Sequence, residues 1–178
     1  MRVAVLGVGA IGGLVAARLA TTDADLLLYA RGDTARMLAS VGLRLEAADG
    51  KVEQVLPDRW VVSEGEPSEP LLGCADVALV CGKADSTPGL ALIAEALLRP
   101  NGIAVSLQNG INEGTIADVV GKDRTMGCIA SAISVSMWER GAVRRNVKLG
   151  GKEHTVFRAG ELDGSVTPRA QRVAEILS

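Results

Sequence analysis

Along the first 120 residues, short apolar runs alternate with longer stretches whose apolar positions recur at helical intervals. Residues 3–6 (VAVL) are apolar, partly β-branched and too few for a helix, so they read as a buried parallel strand; 25–30 (DLLLYA), 76–81 (DVALVC) and 103–107 (IAVSL) repeat the pattern. Between them lie predicted helices over 10–21, 34–40, 88–98 and 111–120, the first patterned by Ile11, Leu14, Val15 and Leu19 and the third by Leu90, Ile93, Ala94 and Leu97. Strand and helix in alternation predict an α/β fold of Rossmann-like, doubly wound type: a mainly parallel sheet with helices on both faces.

Three shorter alternating runs, 42–47, 51–56 and 59–63, are separated by the turn signals Asp49-Gly50 and Pro57-Asp58 and read as a small antiparallel excursion or as edge strands. Residues 64–70 (EGEPSEP) form a polar loop too short to link domains. Later, 125–137 is a long run of small and β-branched residues, expected as one strand or a strand with a bend. Residues 142–148 would pair with it across Glu139-Arg140-Gly141, and 153–158 would join them as an antiparallel extension. A loop over 160–164 then leads to a helix over 168–177, with Thr167 as its N-cap.

The first strand runs into Gly7, Val8, Gly9, Ala10, Ile11 and Gly12, which carry the G-x-G-x-x-G spacing. Gly7 permits a tight turn out of the strand, Gly9 lets backbone approach a pyrophosphate, and Gly12 lets the helix pack closely on the sheet. The helix would add free N–H groups and the positive end of its dipole. A chain with 21 glycines can also hold a glycine-rich βα turn without a ligand; the flanking strand and helix favour the dinucleotide site.

Where the second strand ends stands Arg31, about where a dinucleotide fold selects its cofactor. An Arg there pairs with a 2′-phosphate, so NADP(H) is favoured, while Asp33 two residues on keeps NAD open or caps the following helix. Lys83 follows the 76–81 strand and Asn109 follows the 103–107 strand. Ligands of doubly wound sheets bind beyond the carboxyl ends of strands, so Lys83 would meet an anionic cofactor or substrate and the Asn109 amide could hold a carbonyl or carboxamide. An exposed lysine and an Asn-Gly turn are the plain alternatives.

Composition narrows the function classes. Apolar residues make up 48% and charged residues 22%, enough for a full core, whereas aromatics at 2% cannot supply a stacking platform for single-stranded nucleic acid. A net charge of -2 gives no electrostatic reason for a nucleic acid or anionic membrane partner. Cys74, Cys81 and Cys128 have neither disulfide nor zinc spacing and read as small buried hydrophobes; His154, the only histidine, sits at an exposed-looking strand start. Without a signal peptide or a membrane span, the chain reads as cytoplasmic.

GVGAIGG, Arg31, LVCGKAD with Lys83, LQNGINE with Asn109, the GCIASAISV segment and the hairpin after it, in this order and at these intervals, resemble the ketopantoate reductases (2-dehydropantoate 2-reductases) over essentially the whole chain. The resemblance implies NADPH-dependent reduction of ketopantoate to pantoate in pantothenate and coenzyme A synthesis. By the same resemblance, residues 7–12 hold the pyrophosphate and Arg31 the 2′-phosphate. Lys83 and Asn109 line the cleft near ribose, nicotinamide and a small anionic 2-keto acid, with backbone around Ala132 and Ile133 near the nicotinamide. The family also implies a second, all-helical domain carrying the general-acid lysine. Residues 1–166 are then the NADP-binding domain and 167–178 the first helix leading to that absent domain. No catalytic residue is assigned here, Lys122, Lys148 and Lys152 lying in the wrong part of the pattern, and self-association through uncovered apolar surface is expected. Another NADP-dependent 2-keto acid reductase, a redox-sensing dinucleotide module, or a flavin or nucleotide-sugar protein on the same fold remain open alternatives.

Overall fold

The computed structural model describes residues 1–131, 133–148 and 156–177. In chain order its elements begin β1 (Arg2–Leu6), α1 (Ala10–Leu19), β2 (Asp25–Tyr29), α2 (Gly32–Ser40), β3 (Leu43–Glu46), β4 (Val52–Val55) and β5 (Trp60–Ser63). They continue with β6 (Ala75–Val80), α3 (Thr87–Leu97), β7 (Leu98–Ser106), α4 (Glu113–Val120), β8 (Thr125–Ala130), β9 (Val135–Glu139), β10 (Ala142–Arg145), β11 (Phe157–Glu161) and α5 (Pro168–Ile176). Among the described residues, seven strands form one sheet in the order β11-β8-β7-β6-β1-β2-β5, parallel throughout except where β11 runs against β8.

The chain builds outward from β1 to β2 and β5 on one side, then returns to β6, β7 and β8 on the other. The order therefore reverses between β1 and β6, where doubly wound sheets form their ligand crevice beyond the strand ends. Strands covered on both faces need apolar residues at successive positions, and Val3 to Leu6, Leu26 to Tyr29 and Val77 to Val80 are buried without a break. One apolar layer, with Ala91, Ala94, Leu97 and Ile116 under α3 and α4, lies on one face; the other holds Leu14, Val15, Leu38 and Leu43.

A second sheet, β4-β3-β10-β9, covers α1. Sandwiched between two sheets, α1 buries Gly12 to Ala17 and Leu19, so it is apolar nearly all round. A Cβ on Gly13 would lie 2.7 Å from Val143 Cγ2, so the second sheet presses on the helix backbone itself.

Several boundaries differ from the sequence expectation. The 42–47 and 51–56 runs form the β3/β4 hairpin, whereas 59–63 becomes β5, a parallel edge strand beside β2. The run 125–137 is two strands in different sheets: the Ser131 N–H donates to the Val156 carbonyl beside β11, while the Ser134 carbonyl accepts from Asn146 N–H beside β10. The chain changes partner over four residues, and β9 pairs antiparallel with β10 as the hairpin signal predicts. α3 ends at Leu97, ahead of the expected stop Pro100-Asn101-Gly102, which lies inside β7, where the register with β6 shifts between Ala75 and Val77; a bulge accommodates a proline that has no N–H to give the ladder. β11 runs from Phe157 to Glu161 rather than ending at 158, taking in Gly160 from the expected loop. Thr167 caps α5, its side chain accepting from Ala170 N–H.

Candidate functional site

Gly7 has φ +94°, a left-handed conformation that a side chain resists, and a Cβ there would lie 2.8 Å from both Cα and N of Gly82. The loops that leave β1 and β6 are thus in direct backbone contact at the point where strand order reverses. On Gly12 a Cβ would come within 2.2 Å of the Gly7 carbonyl oxygen and 3.1 Å of Cys81 Cβ, so this glycine exists for close packing of α1 on the strand ends. Gly9 is different, because a Cβ built on it meets nothing within 4 Å. Nothing within the described protein explains its small size, whereas a ligand approaching the backbone would.

Gly9 also stands at the N-cap of α1 without a side chain to bond the first turn. Val8 is buried beneath it and Ala10 and Ile11 open the helix half-buried, leaving orphan N–H groups and the positive helix end toward the crevice. This donor set fits a pyrophosphate.

Around the crevice, the ends of β2, β6 and β7 each supply a polar residue. Arg31, just beyond β2, is exposed and makes no hydrogen bond or ion pair with the described residues. Asp33 does not cap α2: it lies in the helix's first turn and pairs with Arg36, because the helix starts at Gly32 and Arg31 takes the flanking extended position. Lys83 is exposed after β6, likewise unpaired among the described residues. Asn109 is exposed after β7, its carbonyl accepting from the buried Asn112 side chain at 2.9 Å.

Two residues outside the sequence-derived set complete the rim. Gln108 Nε2 donates to the Gly82 carbonyl at 2.8 Å and to Thr87 Oγ1 at 3.0 Å. This ties the β7 loop to the β6 loop and brings Asn109 and Lys83 to the same junction. Glu64, directly after β5, accepts from the Gly32 N–H at 2.5 Å. Glu64 directly follows β5 and Gln108 comes two residues after β7, a nearness to strand ends that is the one signal in sequence that could have singled them out. Ile133 is half-buried between β8 and β9, whereas Ala132 and His154 lie outside the described residues. Beneath the crevice Cys128 is buried and Cys81 half-buried; burial pushes the Cys81 thiol far up and the Cys128 thiol up to about 12, so both are neutral packing groups. Among the described residues no metal-binding cluster occurs, and no helix is long and apolar enough to cross a membrane.

A 2-dehydropantoate 2-reductase of Mesorhizobium japonicum is 38% identical over 113 residues, 62% of this chain and 32% of that protein. The 2-dehydropantoate 2-reductase of Archaeoglobus fulgidus is 30% identical over 99% of this chain, and the chain spans 52% of its length. A solved PanE/ApbA family ketopantoate reductase from Ralstonia eutropha superposes with TM-score 0.77 at 26% identity, over 99% of this chain and 53% of that one. The chain thus spans about half the length of such relatives. The family described as ketopantoate reductase PanE/ApbA matches residues 3–159, well over half of the sequence, and the chain belongs to that family.

Proposed function

We propose that residues 1–166 form the NADP(H)-binding half of a 2-dehydropantoate 2-reductase, a cytoplasmic enzyme of pantothenate and coenzyme A synthesis, and that α5 leads into its substrate domain. The observation that carries this reading is Gly9: its missing side chain leaves open space at an uncapped helix start, at the switch point of the sheet.

When bound, the dinucleotide supplies the hydride for the ketone carbon. The protein's share is placement and charge. The first turn of α1 holds the pyrophosphate, Arg31 takes the 2′-phosphate in a forked, charge-assisted contact, and Lys83 and Asn109 face ribose, nicotinamide and the keto acid. Ile133, and Ala132 beside it in sequence, would flank the nicotinamide. A dianionic or more highly charged ligand set meets unpaired cations here in a chain of net charge -2. The proton for the developing alkoxide is assigned to no residue of this sequence.

The test is a titration with NADPH and with NADH, followed by nicotinamide fluorescence and repeated on Arg31→Ala. NADPH binding should weaken by about 10- to 100-fold in the variant, the size of a lost charge-assisted contact, with NADH little changed. Failure of the wild-type chain to bind either nucleotide would overturn the proposal.

A further inference from the structure

β2 and β5 are parallel neighbours, Tyr29 standing opposite Ser63, so Arg31 and Glu64 leave adjacent strand ends on the same rim. One brings a cation and the other a carboxylate. Glu64 Oε1 accepts the Gly32 N–H, at the first residue of α2, and thereby occupies a donor that an incoming phosphate would otherwise use. Asp33, the acid that sequence offers for ribose recognition, is ion-paired with Arg36 through one of its two oxygens. Arg31 forms no ion pair with Glu64 or with any other described residue.

We infer that Glu64 is a specificity-determining residue of the cofactor cleft: its carboxylate accepts from the adenosine ribose hydroxyls of an unphosphorylated dinucleotide and opposes the 2′-phosphate that Arg31 attracts. The inference rests on the dinucleotide reading above. In doubly wound folds the ribose acid usually follows the second strand; here the neighbouring strand delivers it. Cofactor choice is then a balance between two side chains from two strands, and the chain accepts NADH more readily than Arg31 alone would dictate.

Nicotinamide fluorescence titrations with NADPH and NADH, and calorimetric titrations with 2′,5′-ADP and ADP, on wild type and Glu64→Gln decide it. Glutamine keeps an oxygen for the Gly32 N–H and so keeps α2 seated. Removing one charge beside a phosphate should raise the NADPH-to-NADH affinity ratio about fivefold, mostly through tighter NADPH and 2′,5′-ADP. An unchanged ratio, or parallel weakening of all four ligands, would reduce Glu64 to a helix cap and overturn the inference. Wild-type protein that binds none of them would instead remove the dinucleotide reading on which it rests.

Discussion

Two sets of cations at opposite ends of the main sheet are held in opposite ways. Where the parallel strands begin, arginines have partners: Arg2 binds Asp25, Arg99 binds Asp76, Arg124 binds Glu95, and Arg59 donates to the carbonyls of Ala20 and Thr22. Arg169, beyond β11 at the same end, makes two hydrogen bonds of 2.7 Å to Glu161, whose side chain is only 6% exposed. Where those strands finish, Arg31 and Lys83 stand exposed with no partner among the described residues. Ion pairs at the first end are internal structure. Cations left unpaired at the other end, around a loop with orphan N–H groups, are available to an anion from outside, and the protein gains nothing from them until it comes.

The largest effect should come from the glycines, which break the comparison most sharply. Gly12→Ala drives a Cβ into the Gly7 carbonyl, 2.2 Å away, and backbone cannot step aside as a flexible side chain would. We expect a loss of about 1–3 kcal/mol of stability in urea unfolding, together with loss of nucleotide binding. Gly9→Ala places the same methyl in open space. Its melting temperature should match wild type while NADPH affinity drops by about tenfold or more, equivalent to about 1.4 kcal/mol. Equal behaviour of the two variants would mean that Gly9 is structural and that the open space has no ligand to fill it.

Exchanging ends gives the next prediction. Arg169→Ala leaves Glu161 buried with only the Thr167 hydroxyl as a side-chain partner and should cost about 1.5–3 kcal/mol by the same unfolding assay, with NADPH affinity unchanged. Lys83→Ala should do the reverse. It breaks no contact within the described protein, so stability should hold within about 0.5 kcal/mol, while NADPH affinity falls roughly three- to tenfold through loss of one charge. A nucleotide affinity indifferent to Lys83 would favour a sensor or scaffold role, which needs the glycine loop but not a cation facing the nicotinamide.

What the sequence made legible follows from how local each cause is. The strand, glycine turn and helix of residues 2–19 are written in neighbouring residues, and the reversal of strand order follows from a repeated strand-helix pattern. The second sheet is not written that way: β3 pairs in parallel with β10, joining Arg44 to Ala142 across almost 100 residues, and no local signal marks that partnership. The split between β8 and β9 was hidden because both halves are equally rich in small and β-branched residues and differ only in the partner each finds. Glu64 lay in a segment that reads as solvated loop, and Gln108 was overshadowed by the Asn-Gly turn beside it; each gained meaning only from the backbone group it meets. The positions of Arg31, Lys83 and Asn109 beyond strand ends were legible because they depend only on where a local apolar run stops.

Acid should sharpen the contrast by a smaller amount. The Arg169 hydrogen bonds, more than those from Thr167, hold the Glu161 carboxyl below the usual carboxylate range despite its burial. A carboxylate whose folded value is depressed adds stability that is fully present above its unfolded value, about 4.3, and is lost as pH falls through the folded one. Unfolding free energy measured in urea should therefore be flat with respect to this group from neutrality to about pH 5 and decline below about pH 4. In Arg169→Ala the main cause of the depression is gone, and burial, helped by the nearby Asp163, pushes the carboxyl upward against the single Thr167 hydrogen bond. That part of the acid decline should vanish, and stability should begin to recover where wild type loses it. Equal slopes for the two proteins between pH 5 and pH 3 would mean that the pair at this end, for all its hydrogen bonds, is as indifferent to its partner as Arg31 and Lys83 are without one.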